Sequence, residues 1–425
     1  MKDSLKRGLA LAKEKTASAA KRTKRGFVEL LRRRDPAEYF ILLLILGFTV
    51  FAFRCLTVGH WAFGDIFFKQ CQDQFMDFFH SLRDVAQGPE VYSVRHVIYP
   101  PLANVVLWML SRLVPSAYLH SGSAEAVQVW RFYPTAILAL VVFMVLALLT
   151  LALVLQREKY SPVKRNLLTF FTIASFPIIF MIERGNVVVL CLIALMVFAQ
   201  NYDSESKVGR ELGIFMLALS AGLKIYPAIF GLALLFDKRY GEAIRAAIYS
   251  FVLFLIPSFF FGGPLFCARW LIRNTLSYSS QAGAGAIQTM GSAGGDNAEL
   301  LGKLMLYGLY VLAVVVLVLC SLVQKKRWKT WALCASILLT VPSIFSCYNW
   351  VLMLPALFTF LRTEKLRGIN WVYFFAMSLP FYVFIPKIYQ DNGVITLMVI
   401  LIAFGVFDTL ISYCKERKSK AAEVA

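Results

Sequence analysis

The sequence predicts an all-α fold, a polytopic bundle of transmembrane helices with about ten full spans and two broken or re-entrant segments. Hydrophobic residues make up 59% of the 425 positions and charged residues only 16%, whereas soluble domains are about 45–50% apolar and about 25% charged. The apolar residues are concentrated in runs of about 17–27, long enough to cross a hydrocarbon core of about 30 Å. No polar stretch is long enough to form a separate soluble domain.

The chain divides into a basic N-terminal segment, 1–38, one transmembrane domain, 39–413, and a C-terminal tail, 414–425. The N-terminal segment is either an amphipathic helix on an anionic leaflet or a disordered basic tail. Ten runs have the length and composition of full spans: 39–58, 130–155, 166–182, 187–202, 243–261, 300–323, 329–346, 350–362, 369–386 and 393–413.

The net charge of +19 is carried largely by the N-terminal segment and by turns between the spans. Because basic turns favour the cytoplasmic side, this pattern predicts a multi-pass protein of the plasma membrane with both termini in the cytoplasm. Basic residues interleaved with membrane spans exclude a nucleic-acid partner. The arrangement is consistent only if the apolar segments 99–115 and 212–236 each return to the side that they entered.

Both segments have features that permit such a return. Segment 99–115 starts at Tyr99-Pro100-Pro101 and ends at Pro115, and segment 212–236 is interrupted by Leu-Lys-Ile-Tyr-Pro around Lys224. Each half of the second segment would be about 18 Å of helix, which is too short to cross. Broken helices are tolerated at membrane depth only against protein or a wet cavity, so these segments predict a polar cavity.

Two sizeable outer loops follow from this topology, 59–98 and 262–299. The first has five carboxylates, among them Asp73 and Asp77, which are four residues apart and therefore share a face of a helix. A carboxylate in this position can serve as a general base, or the pair can simply belong to a solvated helix. The second loop is rich in Gly, Ala and Ser and is either a lid over the cavity or a plain connector.

Further polar groups occur where an apolar chain would not place them for stability. Arg95, His96 and Tyr99 gather before a helix that starts with proline. Arg184 and Asn186 flank a glycine between two apolar runs, and Lys224 has about 11 apolar residues on each side. Arg184 and Lys224 together predict an anion site, most simply for a phosphate, although Glu183 could pair with either cation.

Several classes of site are not indicated. The sequence has no Gly-rich phosphate loop and no dinucleotide fingerprint, so a soluble nucleotide is not the expected ligand. Its eight cysteines show no spacing typical of a zinc site or a disulfide framework. We therefore expect no cofactor and no dedicated metal site, and metal dependence stays open. A phosphate bound here is expected to belong to a lipid-linked substrate.

Three motifs together resemble glycosyltransferase family 87, a GT-C-type family of membrane enzymes that use polyprenyl-phosphate sugars. The stretch from Asp77-Phe78 to Tyr99-Pro100-Pro101-Leu102 resembles its first outer loop, and Arg184-Gly185-Asn186 resembles its RGxxN-type segment. The block 203–239, with Leu-Lys-Ile-Tyr-Pro at its centre, resembles its most recognisable part. The resemblance covers about residues 40–240 and extends more loosely to about 360.

The resemblance implies an inverting transfer of a hexose, of the mannose type, from a polyprenyl-phosphate sugar to an acceptor hydroxyl on the outer face. The acceptor would be a lipid, a glycan or a protein. Asp77 would be the base, with Asp73 as the second choice, and Lys224 and Arg184 would hold the leaving phosphate. Family members often have an imidazole-rich run that is expected to line the donor site, and here Cys347-Tyr348-Asn349-Trp350 replaces it. The donor or substrate contacts are then expected from Arg95, His96, Tyr99, Arg184, Asn186, Lys224, Tyr226, Tyr348 and Asn349.

Two other classes of membrane protein remain to be weighed. Broken helices and intramembrane charges also mark transporters and lipid flippases, but those folds usually contain internal repeats, and none is evident here. A membrane acyltransferase would require a histidine deep within a span. All four histidines lie between residues 60 and 120, outside the predicted full spans, which disfavours that class.

Overall fold

The computed structural model describes residues 35–67, 74–119, 132–290, 308, 311–312, 314–320, 326–340 and 346–424. All regular structure in these ranges is helical, in agreement with the predicted all-α class. The N-terminal segment 1–34, Asp73 and most of the predicted span 300–323 lie outside the described residues.

Eighteen α-helices with known bounds, numbered here in chain order, account for most of the described residues, and residues 314–320 are helical as well. They are α1 Pro36–Val58, α2 His60–Gly64, α3 Met76–Val85, α4 Glu90–Ser93, α5 Pro101–Ser111, α6 Ser116–Leu119, α7 Pro134–Leu155, α8 Pro162–Ile173, α9 Phe176–Arg184, α10 Val188–Asn201, α11 Lys207–Leu223, α12 Leu232–Phe236, α13 Tyr240–Ser258, α14 Pro264–Met290, α15 Arg327–Thr340, α16 Leu354–Thr363, α17 Asn370–Tyr382 and α18 Lys387–Val424. Short 3₁₀ helices cover Tyr226–Gly231, Phe259–Phe261 and Cys347–Met353.

Four described helices are long and apolar enough to cross a membrane. They are Pro36–Val58, Pro134–Leu155, Tyr240–Phe261 and the stretch Thr396–Cys414 of α18. They coincide with the predicted spans 39–58, 130–155, 243–261 and 393–413. The total of about ten full spans stays a prediction, since the structure supports four spans, or five if a bent pair of helices counts as one.

That bent pair coincides with the predicted full span 166–182 and shows that this segment is broken. Helices α8 and α9 meet at an angle of 48°. The break falls at Ala174 and Ser175, directly before Phe176 and Pro177. Proline has no N–H to donate and disfavours helical geometry in the preceding residue, so it starts a new helix here.

The division of the chain into a tail and two outer loops stays a prediction, and the structure shows helix in all three segments. Helix α18 continues through the predicted boundary at 414 to Val424, through good helix formers with no Gly or Pro to stop it. The predicted loop 262–299 begins with the 27-residue helix Pro264–Met290, whose alanines favour helix. The predicted loop 59–98 contains three short helices, α2 to α4.

The two predicted exceptions are short helices. Helix α5 has 11 residues, about 16 Å of rise, and is too short to cross. Helix α11 ends at Leu223, where Lys224 adopts an extended backbone, and a 3₁₀ helix and α12 then continue to Phe236. The break in segment 212–236 is therefore at the predicted residue.

The two ends of this broken segment meet. The Tyr202 hydroxyl, just before α11, donates to Asp237, just after α12, over 2.8 Å. Arg239 donates in return to the carbonyl of Tyr202, also over 2.8 Å. The chain from 203 to 236 therefore forms a hairpin, closed at its base, with Lys224 near its tip.

Ion pairs connect the turns that the sequence assigns to the basic side. We call this part of the molecule the basic end, formed by residues 35–38, 156–165, 202–211, 237–245, 326–329 and 362–370. The pairs that join separate turns are Lys164–Asp35, Arg362–Glu158, Arg327–Asp237, Arg245–Glu211 and Lys326–Glu364. These contacts place the basic turns at one end of the bundle.

Helix α10 lies at the centre of the fold. Ten of its 14 residues are buried, as expected for a helix that is apolar on every side. It packs against α7, α11 and α16. Its first residue is Val188, two positions after Asn186, and its last residue precedes Tyr202 at the basic end. The 14 residues of α10 therefore place Asn186 about 21 Å from that end.

Candidate active site

Three segments far apart in the sequence meet at the end of the bundle opposite the basic end. The first is the start of α3, which carries Asp77. The second is the turn 183–187 between α9 and α10. The third is the residue pair Tyr348 and Asn349 in a 3₁₀ helix. Helix α9 packs against both α3 and this 3₁₀ helix.

Gly185 fits the turn against α3. It ends α9 with φ = 67°, a left-handed conformation that glycine adopts without steric cost. A Cβ atom at Gly185 would lie only 2.7 Å from Cβ of Phe78. The backbone adds a second connection, from the N–H of Phe75 to the carbonyl of Glu183 at 2.8 Å. The turn is thereby held against the first residues of α3.

This packing brings the carboxylate of Asp77 between two side chains of the turn. Its Oδ1 accepts a hydrogen bond from Arg184, and its Oδ2 accepts one from Nδ2 of Asn186 at 2.8 Å. The side chains of Asp77 and Arg184 are 19% and 20% exposed. The ion pair is therefore partly buried. Arg184, for which the sequence left Glu183 open as a partner, pairs with Asp77.

Asn186 is shared among several groups. Its Oδ1 accepts from the N–H of Val188 at 3.0 Å, in the first turn of α10, which fixes the amide orientation. Its Nδ2 is also 3.4 Å from the Tyr99 hydroxyl and 3.2 Å from the Tyr348 hydroxyl. Asp77, Arg184, Asn186, Tyr99 and Tyr348 form one cluster, called here the carboxylate cluster.

Tyr99 is positioned by a buried hydrogen-bond network. The Tyr92 hydroxyl donates to the Tyr99 carbonyl at 2.9 Å, and Nδ2 of Asn104 donates to the Tyr92 hydroxyl at 2.9 Å. Pro100 and Pro101 then start α5, which suits proline because the first helical N–H has no partner. The hydroxyl of Tyr99 is thus held at the cluster.

Lys224 lies next to this cluster, behind the ring of Tyr99. Its Nζ is 5.3 Å from the centre of the Tyr99 ring and 5.4 Å from that of Tyr226. Lys224 is only 7% exposed, and within the described residues no carboxylate forms an ion pair with it. The Tyr226 hydroxyl is 3.3 Å from Oδ1 of Asn349, which connects this part of the site to the 3₁₀ helix.

Two predicted residues are placed elsewhere. Arg95 is 3.9 Å from Asp84, which also pairs with Arg83. His96 is exposed and has φ = 54°. Neither is brought into the carboxylate cluster, and their predicted contacts with substrate stay predictions.

Tyr278 is a neighbour of the site that sequence reasoning missed. Its hydroxyl is close enough to interact electrostatically with the hydroxyls of Tyr99 and Tyr348. Asn274, one turn earlier in α14, donates to the carbonyl of Tyr92 at 2.9 Å and so anchors the helix. Residues four apart share a helix face, and this spacing was the signal available in the sequence.

Across the described ranges, no group of three or more His, Cys, Asp or Glu could hold a metal ion. The cluster and the neighbouring Lys224 together offer a carboxylate, two cations, hydroxyls and an amide. Together they can orient a polar ligand, accept a proton and hold an anion.

Comparison with known proteins adds one match. The model of glycosyltransferase family 87 matches residues 97–343, which is more than half of the chain. The matched region includes Tyr99, Arg184, Asn186 and Lys224 and begins after Asp77. No curated protein and no solved structure matches the chain.

Proposed function

The chain belongs to glycosyltransferase family 87, a GT-C-like family of membrane glycosyltransferases, and we propose that it transfers a hexose of the mannose type from a polyprenyl-phosphate sugar. The acceptor is a hydroxyl of a lipid, glycan or protein on the outer face of the membrane. Membership of the family makes the chain a multi-pass membrane enzyme with a sugar donor and an acceptor. The donor carrier, the sugar and the face are the proposal.

The observation that carries this proposal is the buried ammonium group of Lys224 beside the carboxylate cluster. A buried cation is costly unless an anion or water compensates it. No carboxylate among the described residues forms an ion pair with Lys224, whereas the phosphate of a lipid-linked donor would supply a direct counter-ion. Arg184, a member of the cluster, offers a planar guanidinium group that can donate two parallel hydrogen bonds to a phosphate.

We assign the role of general base to Asp77. Its Oδ1 and Oδ2 each accept one hydrogen bond from the turn, and each carboxylate oxygen has capacity for a second. Asp77 accepts the proton of the acceptor hydroxyl as that oxygen attacks the anomeric carbon. The bond from the anomeric carbon to the phosphate oxygen breaks, and polyprenyl phosphate leaves with the electron pair.

This single displacement inverts the configuration at the anomeric carbon. Negative charge grows on the leaving phosphate as the bond breaks, and fixed cations stabilise it most in a site from which water is excluded. Lys224 and Arg184 supply those cations. The proton taken by Asp77 passes to water before the next turnover.

The depth of the site supports an outer-face reaction. Helix α11 rises about 25 Å from Lys207 at the basic end to Lys224, and α10 about 21 Å to Asn186. If the basic end is cytoplasmic, as expected for basic turns, both residues lie toward the far side of a core about 30 Å thick. We propose on this basis that both termini are in the cytoplasm, and that the membrane is the plasma membrane.

The test is transfer by purified protein in lipid nanodiscs, with a panel of polyprenyl-phosphate sugars, nucleotide sugars and envelope acceptors, with and without a chelator. We expect turnover with a polyprenyl-phosphate hexose and inverted product. Asp77→Asn should lower the rate by about 10²–10⁴-fold, the usual contribution of a general base. Turnover with nucleotide sugars alone would overturn the donor class.

Two variants separate the base assignment from general damage. Asp65→Asn is the matched control, because Asp65 is 53% exposed and pairs only with Arg54 among the described residues. Its activity should be close to wild type. Asp73→Asn examines the second predicted base, and full activity of Asp77→Asn together with loss in Asp73→Asn would transfer the role to Asp73.

A further inference from the structure

A cavity of about 470 Å³ opens at the basic end, between the start of α11 and the start of α13. Its lining includes five Lys or Arg side chains and two Glu side chains, a net charge of +3. Helix α11 separates it from Lys224 by about 25 Å. This cavity is therefore distinct from the candidate active site.

The two carboxylates of the cavity are already engaged. Glu242 pairs with Arg239, and Glu211 pairs with Arg245 at 3.1 Å. The other three cations, Lys207, Arg210 and Lys238, form no ion pair with any described residue. The cavity thus concentrates three uncompensated positive charges.

Lys238 has an unusual backbone for a lysine. Its φ is 57°, and it directly follows Asp237, the C-cap residue of α12. This left-handed position after a helix is the one that glycine most often occupies, because a Cβ atom is unfavourable there. Lys238 therefore occupies a backbone conformation that is sterically unfavourable for a side chain, which favours a functional role for its positive charge.

Exposed apolar residues extend from the cavity along α11 and α13, away from the basic end. They recur every three or four positions, so each set forms one exposed stripe. The stripes are Val208, Leu212 and Phe215 on α11, and Ile244, Ile248 and Phe251 on α13. The ring of Phe215 contacts that of Tyr249, which follows Ile248 in α13, at 6.0 Å, so the first stripe lies against α13.

We propose that this cavity binds the headgroup of an anionic phospholipid, with its acyl chains along the two apolar stripes. Basic pockets between membrane helices suit such headgroups, and charge-assisted hydrogen bonds from Lys and Arg to phosphate oxygens are strong. The stripes distinguish a lipid from a free phosphate ion, because only a lipid covers exposed apolar surface. The bound lipid would bridge the base of the hairpin and the start of α13 through contacts with both.

The experiment measures lipid binding to the purified full-length protein by native mass spectrometry and by the shift in Tm. Phosphatidylglycerol is compared with phosphatidylcholine of the same acyl chains. Wild type should bind the anionic lipid preferentially. The variant Lys207→Gln/Arg210→Gln/Lys238→Gln should bind it on the order of 100-fold more weakly, since each cation near a membrane surface contributes roughly fivefold.

A matched control removes three exposed cations from the same end but outside the cavity, Lys159→Gln/Lys365→Gln/Arg367→Gln. It should retain wild-type affinity. Equal weakening in both triple variants would show a diffuse effect of net charge and overturn the site. Unchanged affinity in the cavity variant would overturn it as well.

Two further arms separate lipid from phosphate and charge from folding. Inorganic phosphate and glycerol phosphate should neither raise Tm nor displace the lipid, and competition by either would assign the cavity to a soluble phosphate instead. Lys238→Gly relaxes the left-handed backbone while it removes one charge. It should raise Tm without lipid and reduce the shift that phosphatidylglycerol causes, whereas an undiminished shift would remove Lys238 from the site.

Discussion

The amide of Asn186 donates to the carboxylate of Asp77 over 2.8 Å, although 109 residues separate the two in the chain. The same amide accepts from the backbone at the start of α10 through its oxygen. Asn186 therefore transmits the position of a central buried helix to the assigned base. The orientation of the Asp77 carboxylate therefore depends on the N–H hydrogen that Asn186 donates to it.

Asn186→Asp tests this dependence. The ionised aspartate keeps an oxygen for the N–H of Val188 but replaces the hydrogen-bond donor to Asp77 with a negative charge that repels it. Helix α10 should therefore still begin correctly while the base loses its alignment. We expect kcat to fall by about 100-fold, the scale of a small misplacement of a reacting group, with a smaller change in KM. Steady-state kinetics and Tm measure both. A wild-type kcat would refute the positioning role.

Lys224→Met removes the buried charge and keeps a flexible side chain of similar length. Turnover should fall by about 10²–10³-fold, as when a group that stabilises developing charge is lost. Tm should be unchanged or higher, because the buried ammonium is costly when no anion is bound. Lys159→Met, at an exposed position, is the control, and Lys224→Arg should be poorly tolerated because guanidinium differs in shape. A large loss of Tm in Lys224→Met would indicate a structural residue.

Gly185→Ala should separate the two segments that hold the cluster. The alanine methyl would meet Cβ of Phe78 at 2.7 Å, and its left-handed backbone costs about 1–2 kcal/mol. We expect lower Tm together with loss of transfer. Gly64→Ala serves for comparison, since Gly64 is helical and nothing lies within 4 Å of an added Cβ. Similar behaviour of both variants would argue against this packing.

Glu364 predicts a dependence of stability on pH at the basic end. Burial raises the pKa of its carboxyl, but hydrogen bonds from Lys326 and Trp328 outweigh that effect and hold the pKa below its ordinary value. The stabilisation is present above the unfolded pKa of about 4.3 and is lost as pH falls through the folded pKa. Thermal unfolding between about pH 3 and 6 should show this loss in wild type.

Glu364→Gln should remove that part of the pH dependence. Its Tm should be lower than that of wild type near pH 6, and the difference should shrink as the carboxyl of wild type becomes protonated. Asp65→Asn provides the comparison, because Asp65 is exposed and lies away from this end. A difference that stays constant with pH would rule out the ionised carboxylate as its source.

The sequence was most informative where polarity conflicted with its surroundings. A lysine within an apolar run and a following proline are enough to predict the break at Lys224, because both are costly inside a spanning helix. The arginine and asparagine around Gly185 are prominent for the same reason. Which partner each would find could not be predicted, since Asp77 and Arg184 are brought together by packing over long sequence separations.

Other features had weaker local signals. Pro177 is compatible with both the first turn of a helix and a kink within one, so the division of 166–182 into α8 and α9 was missed. Tyr278 lies in a stretch of small residues with no charge out of place, and only its spacing from Asn274 relates it to the site. The number of spans depends on segments such as Cys347–Met353, where a 3₁₀ helix changes the rise per residue.

In the hairpin that is closed between Tyr202 and Asp237, the length of α11 determines where the Lys224 ammonium group lies. Its base is held by hydrogen bonds at one end of the bundle, and Lys224 stands 17 helical residues away. One residue inserted into α11 would turn Lys224 by about 100° and move it by about 1.5 Å. The number of residues in α11 therefore sets how far Lys224 lies from the closed base of the hairpin. A change in that number would alter the site without replacing any of its side chains.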